Sequence, residues 1–426
     1  MKKVGVALLG LGVVGGGTYE ILKKHQEFFK KTQGVDLVVK YVMDRNTARC
    51  TELGVDPAII TTDINVIADD PDVQIVAEFF GGIEPARTFL TTVLKKGKSI
   101  VTANKELFSK YWHELEAAAK EGKAGLYYEA SCVGGVPIIR TLTEGTQANR
   151  ILSIKGIING TTNYILSSMS DEGKTYENAL AEAQRLGYAE ADPTADVEGF
   201  DAMYKLSILS SLAYHKKVPI DRVYREGISR VAIEDILIGK ELGLTLKLLA
   251  ISKDDGKKIQ ARVHPTFVPN THPLASVSGS FNAVHLVGDS VGDIMLYGRG
   301  AGALPTGSAI VSDILYAAKQ TKHRYCPFNN TGTATKDGDF ADDFISKYYI
   351  RLTVKDEVGT LGRIAGAFGK NNVSIVTVLQ RDSRTEIVNI IFVTHETLEK
   401  NIKKAIEDIK SLKGVTEVNS VIHVEE

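Results

Sequence analysis

Asp201 and Lys205 stand four residues apart at the start of an apolar stretch, a spacing that puts both on one face of a helix. Upstream lie Glu190, Asp192, Asp196 and Glu198, so five carboxylates precede a run, Met203 to Leu212, whose one charge is Lys205. A lysine on an otherwise apolar helix is a candidate proton donor whose acidity its neighbours set. Carboxylates beside it suit a ligand's ammonium group. A solvated acidic loop with an ordinary ion pair is the plainer reading of the same spacing. The N-terminus decides between them.

Residues 4–9, VGVALL, form a short apolar strand pattern, followed by Gly10-Leu11-Gly12-Val13-Val14-Gly15 and a helical pattern through Ile21 and Leu22. A GxGxxG between strand and helix binds a dinucleotide. The first glycine makes the turn, the second admits the pyrophosphate, and the third lets helix and strand pack. Free N–H groups at the helix start face the phosphates. The second strand, Val35 to Met43, ends at Asp44-Arg45. An acid there bonds the ribose of NAD, and an arginine accepts the 2′-phosphate of NADP. With one of each, the choice stays open.

These residues need a scaffold. Strand and helix patterns alternate through the first third: strands at 74–80, 99–102 and 125–128, helices at 85–95 and 112–121. Such alternation predicts an α/β fold, a Rossmann-type doubly wound parallel sheet that binds ligands at the carboxyl ends of its strands. Thr102 and Lys105 sit at one such end, and the glycine-rich turn 129–137 at another. A second sheet opens at 151–158, and Asn159 to Asn163 is a polar turn capping a helix from Tyr164 to Met169. More strands follow around 258–310, with 298–307 a loop, and a helix at 309–321 predicted to pack back on the first domain. The polar segment 327–345 reads as linker. The tail reads βαββαβ, a ferredoxin-like order, and as a separate unit. The predicted domains are 1–130 for the dinucleotide (with 309–325 returning to it), 131–308 for an α+β catalytic and dimerisation domain, 326–345 for the linker, and 346–426 for the tail.

The 426 residues carry 51 basic and 52 acidic side chains, which excludes an electrostatic nucleic-acid binder. No apolar run reaches membrane-spanning length, and no signal-peptide pattern precedes the first strand, so a cytoplasmic location is expected. Cys50, Cys132 and Cys326 suggest no disulfide framework, and the nine histidines show no zinc spacing.

Several long motifs now stand together: GLGVVGGG near the start, VTANK at 101–105, EASCVGGVPI at 129–138, GIINGTTNYIL at 156–166, GYAEADPTADVEGFDAMYK at 187–205 and YGRGAGALPTGSAIVSD at 297–313. Over essentially its whole length the chain resembles homoserine dehydrogenases of the long bacterial type. Its tail, through VKDEVGTLGRIAGAFGKNNVSI at 354–375, is similar to an ACT domain.

The resemblance implies NAD(P)-dependent, reversible interconversion of L-homoserine and L-aspartate 4-semialdehyde, in threonine, methionine and isoleucine biosynthesis. By it Lys205 is the proton donor to the carbonyl oxygen, and Lys105 a second lysine near substrate and nicotinamide. Glu190 and Asp201 bind the amino acid, with Asp196 and Tyr188 close by; N–H groups near Gly160 and Thr161 suit its carboxylate. Gly187 and Gly302 match cofactor or site contacts. Glu129 matches the side-chain ligand of a monovalent cation, usually sodium, completed by carbonyls at Cys132, Gly134 and Val136. The tail would bind an effector amino acid, often threonine, in a homodimer or homotetramer, and its removal would leave catalysis intact. Two lysines in one pocket are expected to depress each other's pKa. Two rivals remain: an acyl-transferring aspartate-semialdehyde dehydrogenase with Cys132 as nucleophile, and a catalytically silent amino-acid sensor.

Overall fold

The computed structural model describes residues 2–321, 336–381 and 386–425. In β1 (Lys2–Leu9) every residue from Val4 onward is buried. Val4, Val6 and Leu8 face one apolar layer, Ala7 and Leu9 the other. A strand buried on both faces belongs inside a parallel sheet. Around it run β2 (Val35–Met43), β3 (Ile60–Thr61), β4 (Val73–Glu78), β5 (Ser99–Thr102) and β6 (Leu126–Tyr127), in the spatial order β3-β2-β1-β4-β5-β6 and all parallel. This is the doubly wound sheet the alternation predicts, with its order reversing between β1 and β4.

The returning helix is longer than its pattern suggests. It runs Ala303–Lys319, with Gly302 as its N-cap, so half of the predicted loop 298–307 is its first turn. Pro305 hid this start, although a proline is tolerated within the first turn of a helix. The helix lies against Val13–Lys24 so closely that a Cβ on Gly17 would stand 2.3 Å from the Ala303 carbonyl oxygen.

The second sheet contains β7 (Ile151–Ile157), β8 (Tyr224–Arg225), β9 (Leu244–Asp254), β10 (Ile259–Pro269), β11 (Phe281–Gly288) and β12 (Gly292–Arg299). The tail adds β13 (Ile345–Lys355), β14 (Ile375–Gln380), β15 (Ile387–Thr394), β16 (Thr397–Leu398) and β17 (Val415–Val424). Helices Thr360–Lys370 and Glu399–Lys410 close the ferredoxin-like order β17-β13-β15-β14 over their own core of Ile350, Leu352, Ile364, Phe368, Ile402 and Ile409.

The tail is not a separate unit in its backbone. β17 pairs in parallel with β10 at Thr266–His423 and Phe267–Val424, joining both sheets into one continuous surface, β12-β11-β7-β9-β10-β17-β13-β15-β14, with β8 paired to β10 and β16 to β13 beside this path. Buried charges bolt the seam. Arg262 bonds Glu425 at 2.8 Å, and Arg351 reaches Asp235, on the helix Ile233–Glu241, at 2.6 Å. The predicted linker needs a correction in its described part: Phe340 is buried and bridges to Ile259. The remainder of the linker, through 335, lies outside the described residues, as does Cys326.

Candidate active site

The Phe200–Tyr214 helix is buried along nearly its whole length, so the charges on it must be satisfied internally. Lys205 Nζ donates to Asp201 Oδ2 at 2.7 Å and to the Ile158 carbonyl at 2.8 Å. The other Asp201 oxygen, Oδ1, lies 2.9 Å from Lys105 Nζ. Lys105 is the first residue of the Lys105–Gly122 helix, just beyond β5, and Asn104 caps that helix by accepting from Leu107 N–H. One carboxylate therefore bridges two ammoniums delivered by two different domains.

This geometry revises the expected acidities. Burial would push the Asp201 carboxyl up, but the Lys105 and Lys205 charges hold it well below the usual carboxylate range. In return the Asp201 carboxylate holds the Lys105 ammonium above the usual lysine range, outweighing burial. The expectation that the two lysines depress each other thus fails for Lys105, because an anion sits between them. Asp196 differs: burial and the nearby Asp201 charge push its carboxyl up.

Asn159 ties the carboxylates together, and the sequence reading missed this role. Its amide donates to Asp196 Oδ1 at 2.7 Å and Asp201 Oδ2 at 2.8 Å, while its Oδ1 accepts from Thr162 N–H at 2.9 Å. It is the N-cap of a helix running Gly160–Glu172, so the residues read as a turn are that helix's first turn. The only signal was a cap residue opposite an acidic loop.

These groups line a cleft of about 520 Å³ between the glycine loop and the second sheet. Gly160, Thr161, Gly187, Tyr188, Gly134 and Gly302 also line it, as does Val14 from the first turn after the glycine motif. Arg299 and Ser280, not singled out in the sequence, complete the wall. Lys105 is 38% exposed on the open side, Lys205 only 11%. Glu190 is exposed and stands outside this lining.

The glycine motif has the geometry its chemistry demands. Gly10 has φ 97°, a Cβ on Gly15 would lie 2.1 Å from the Gly10 carbonyl oxygen, and one on Gly12 would meet open space. That space faces the start of the Val13–Lys24 helix, where N–H groups await an anion. Asp44 is committed to its own loops: Oδ2 accepts from Leu11 N–H at 2.6 Å and Oδ1 from Asn46 N–H at 2.8 Å. Arg45 is exposed. Thr102 is buried and donates to Glu78 Oε2 at 2.5 Å, beneath the site rather than in it.

Glu129 is buried, with its two carboxylate oxygens accepting from Ile139 and Arg140 N–H, each at 2.8 Å. Burial and the neighbouring Asp313 push its carboxyl up to about 7. A carboxylate retains further lone pairs, so Glu129 has the hard oxygen-donor chemistry that a monovalent cation takes. The Val136 carbonyl already accepts from Ile138 N–H at 2.8 Å. The Cys132 thiol is fully buried and burial pushes it up to about 12, which removes it as a nucleophile.

Comparison with known proteins follows the same division of the chain. The model for the NAD-binding domain of homoserine dehydrogenase matches residues 10–129, that for homoserine dehydrogenase matches 137–315, and that for the ACT domain matches 348–414. The chain belongs to the homoserine dehydrogenase family. It is 40% identical to the homoserine dehydrogenase of Bacillus subtilis over 428 residues, covering 100% of this chain and 99% of that one. The Neisseria gonorrhoeae homoserine dehydrogenase is 41% identical over 434 residues, with the same coverage. The crystal structure of the Thiobacillus denitrificans homoserine dehydrogenase superposes with a TM-score of 0.91 at 40% identity, covering 100% of this chain and 99% of that one. A hyperthermophilic archaeal homoserine dehydrogenase in complex with NADPH gives a TM-score of 0.65 at 28% identity, over 76% of this chain and all of that one. This family member is an NAD(P)-dependent oxidoreductase with a C-terminal ACT domain. Among the described residues no helix is long and apolar enough to cross a membrane.

Proposed function

We propose that the cleft interconverts L-homoserine and L-aspartate 4-semialdehyde, with Lys205 exchanging the proton on the reacting oxygen. The observation that carries this reading is the Lys105–Asp201–Lys205 bridge. A bound nicotinamide supplies or accepts the hydride. As the carbonyl oxygen gains alkoxide character, the Lys205 ammonium stabilises it and donates a proton. Asp201 accepts from that ammonium and aims it, and Lys105 adds a second positive charge on the cofactor side. Asp196 suits the substrate's ammonium, and Glu190 joins it through movement of the exposed loop 187–192. The substrate carboxylate is received by N–H groups at Gly160 and Thr161, the start of the 160–172 helix.

Because Asp44 is held by Leu11 and Asn46 while Arg45 is free to meet a 2′-phosphate, NADP is the preferred cofactor in this reading. A sodium-like ion at Glu129 with the carbonyls of Cys132 and Gly134, and of Val136 at the margin, orders the turn beside the cleft. The ACT domain receives an effector amino acid, threonine first among candidates, and copies of the cytoplasmic chain associate. Edge strand β12 supports that association by leaving Met295 and Tyr297 exposed.

The test is oxidation of L-homoserine followed at the nicotinamide absorbance, with NADP and NAD in parallel and with or without sodium and L-threonine. Turnover faster with NADP supports the reading. No turnover with either cofactor overturns it and restores the sensor.

A further inference from the structure

Three buried asparagines surround the start of the Gly160–Glu172 helix, and two of them are fully committed. Asn159 bonds Asp196, Asp201 and Thr162. Asn163 donates to the carbonyls of Val277, Gly279 and Phe281, at 3.2, 2.9 and 3.1 Å, and so clamps the segment before β11 to this helix. The third, Asn282 on β11, is 1% exposed, and neither atom of its amide has a hydrogen-bond partner among the described residues.

Its position breaks the pattern of its own strand. Val284 and Leu286, two and four residues on and therefore on the same face, enter the main apolar core, while Phe281 and Ala283 face another apolar layer. An unbonded amide in that apolar row destabilises the free protein, and departures of this kind mark functional sites.

The amide lies directly behind the cleft wall. A Cβ on Gly300 would stand 1.6 Å from Asn282 Oδ1, and one on Gly160 3.5 Å from the same atom, so both glycines turn a bare face to it. Gly160, Ser280 and Gly300 all line the cleft. Gly160 also opens a helix whose first N–H groups carry partial positive charge. A half-turn of the amide, which breaks no hydrogen bond, puts Nδ2 where Oδ1 stands. Arg299 does not compete for this place. It pairs with Phe281 across β11 and β12, and its guanidinium lies over that ring at 5.1 Å, on the other face of the strand.

We propose that Asn282 is a specificity-determining residue for the substrate's carboxylate: its amide N–H, passing between Gly160 and Gly300, joins the N–H groups of Gly160 and Thr161 as a third donor. Seating the substrate thereby satisfies the amide that the free protein leaves unbonded. The inference deepens the function proposed above and rests on it.

The test compares L-homoserine with its uncharged carboxamide, L-homoserine amide, as substrates of wild-type protein and of Asn282→Leu, which keeps nearly the same shape without the polar atoms. The ratio of kcat/KM for acid over amide is expected to fall by about tenfold or more in the variant, the scale of one hydrogen bond to a charged group. KM for homoserine should rise and NADPH affinity should be retained. The melting temperature should hold or rise, because the variant loses an unbonded buried amide. A merely structural asparagine would instead lower Tm and leave the ratio alone. A crystal structure of wild-type protein with NADPH and L-homoserine, a pair that cannot react, needs no variant: Asn282 Nδ2 is expected within about 3.2 Å of a carboxylate oxygen. An unmoved ratio in the folded variant, or a carboxylate seated out of reach of Asn282, overturns the proposal. Wild-type protein that never oxidises homoserine refutes the catalytic reading, and this inference with it; turnover with an unmoved ratio refutes the Asn282 assignment alone.

Discussion

Lys105 and Asp201 come from different domains, and their charged atoms stand 2.9 Å apart. The contact completes a line of alternating charge in which Asp201 is the shared anion and Lys205 the inner cation. In the proposed mechanism, catalysis by this line depends on the anion. Asp201→Asn leaves two ammoniums facing each other across a neutral amide, and Lys205 loses one of its two acceptors. We expect kcat to fall by about 10²-fold or more, the scale of a mispositioned general acid. Without Asp201 the Lys105 ammonium loses the main charge that holds it above its usual range, so the alkaline limb of the pH–rate profile should move to lower pH. An unchanged rate and profile would show that Asp201 is a structural ion-pair partner only.

Lys205→Ala removes the proposed proton donor while leaving the glycine loop, on the other side of the cleft, untouched. Turnover should drop by roughly 10²–10⁴-fold with cofactor affinity retained. Fluorescence titration with NADPH separates the two effects. Near-wild-type kcat in this variant would move the proton donor elsewhere, Lys105 being the next candidate.

Much of this arrangement was legible in the chain. The Asp201–Lys205 spacing implied a shared helix face, and the GxGxxG implied a close turn; both follow from local periodicity and sterics. What periodicity cannot carry is contact across domains. Nothing local in Asn159 announces that its amide spans Asp196 and Asp201, and nothing in Lys105 says that its counter-ion is Asp201 rather than solvent. Without that anion, repulsion between the lysines looked decisive. The tail's independence was misjudged for a similar reason: β17 has a complete pattern of its own, and its pairing with β10 is set by the seam.

Glu78 provides a test by pH. It is fully buried at the end of β4, and burial pushes its carboxyl up to about 7 from 4.5, outweighing the Thr102 hydroxyl that donates to it. The folded state thus binds this proton more tightly than the unfolded chain does. The stabilisation is complete below pH 4.5 and is lost as pH rises through 7. A shift of this size corresponds to roughly 3 kcal/mol. Glu78→Gln keeps an acceptor for the Thr102 hydroxyl and removes the titration. Urea unfolding should therefore show the variant gaining about 3 kcal/mol on wild type between pH 4.5 and pH 8. An equal difference at both ends would mean that Glu78 does not titrate in this window.

The seam between the ACT sheet and the catalytic domain makes the last prediction. Asp235 is completely buried and accepts from Arg351 Nε at 2.6 Å, Arg351 Nη2 at 3.0 Å, Tyr349 OH at 3.0 Å and Ser420 Oγ at 2.5 Å. All these donors belong to the tail. Deleting residues 346–426 would strip every one of them and also free Arg262, itself almost fully buried, from Glu425. A simple truncation is thus expected to destabilise the catalytic domain as well as abolish regulation. The point variant isolates the cause. Arg351→Met leaves Asp235 buried without its cation, which should lower stability by roughly 3–5 kcal/mol in urea unfolding. Adding Asp235→Leu removes the orphaned charge, and most of that loss should return, because an apolar pair of similar volume replaces a buried ion pair at little penalty. If Arg351→Met alone stays within about 0.5 kcal/mol of wild type, the range of ordinary surface substitutions, the seam is not what holds the tail to the catalytic domain.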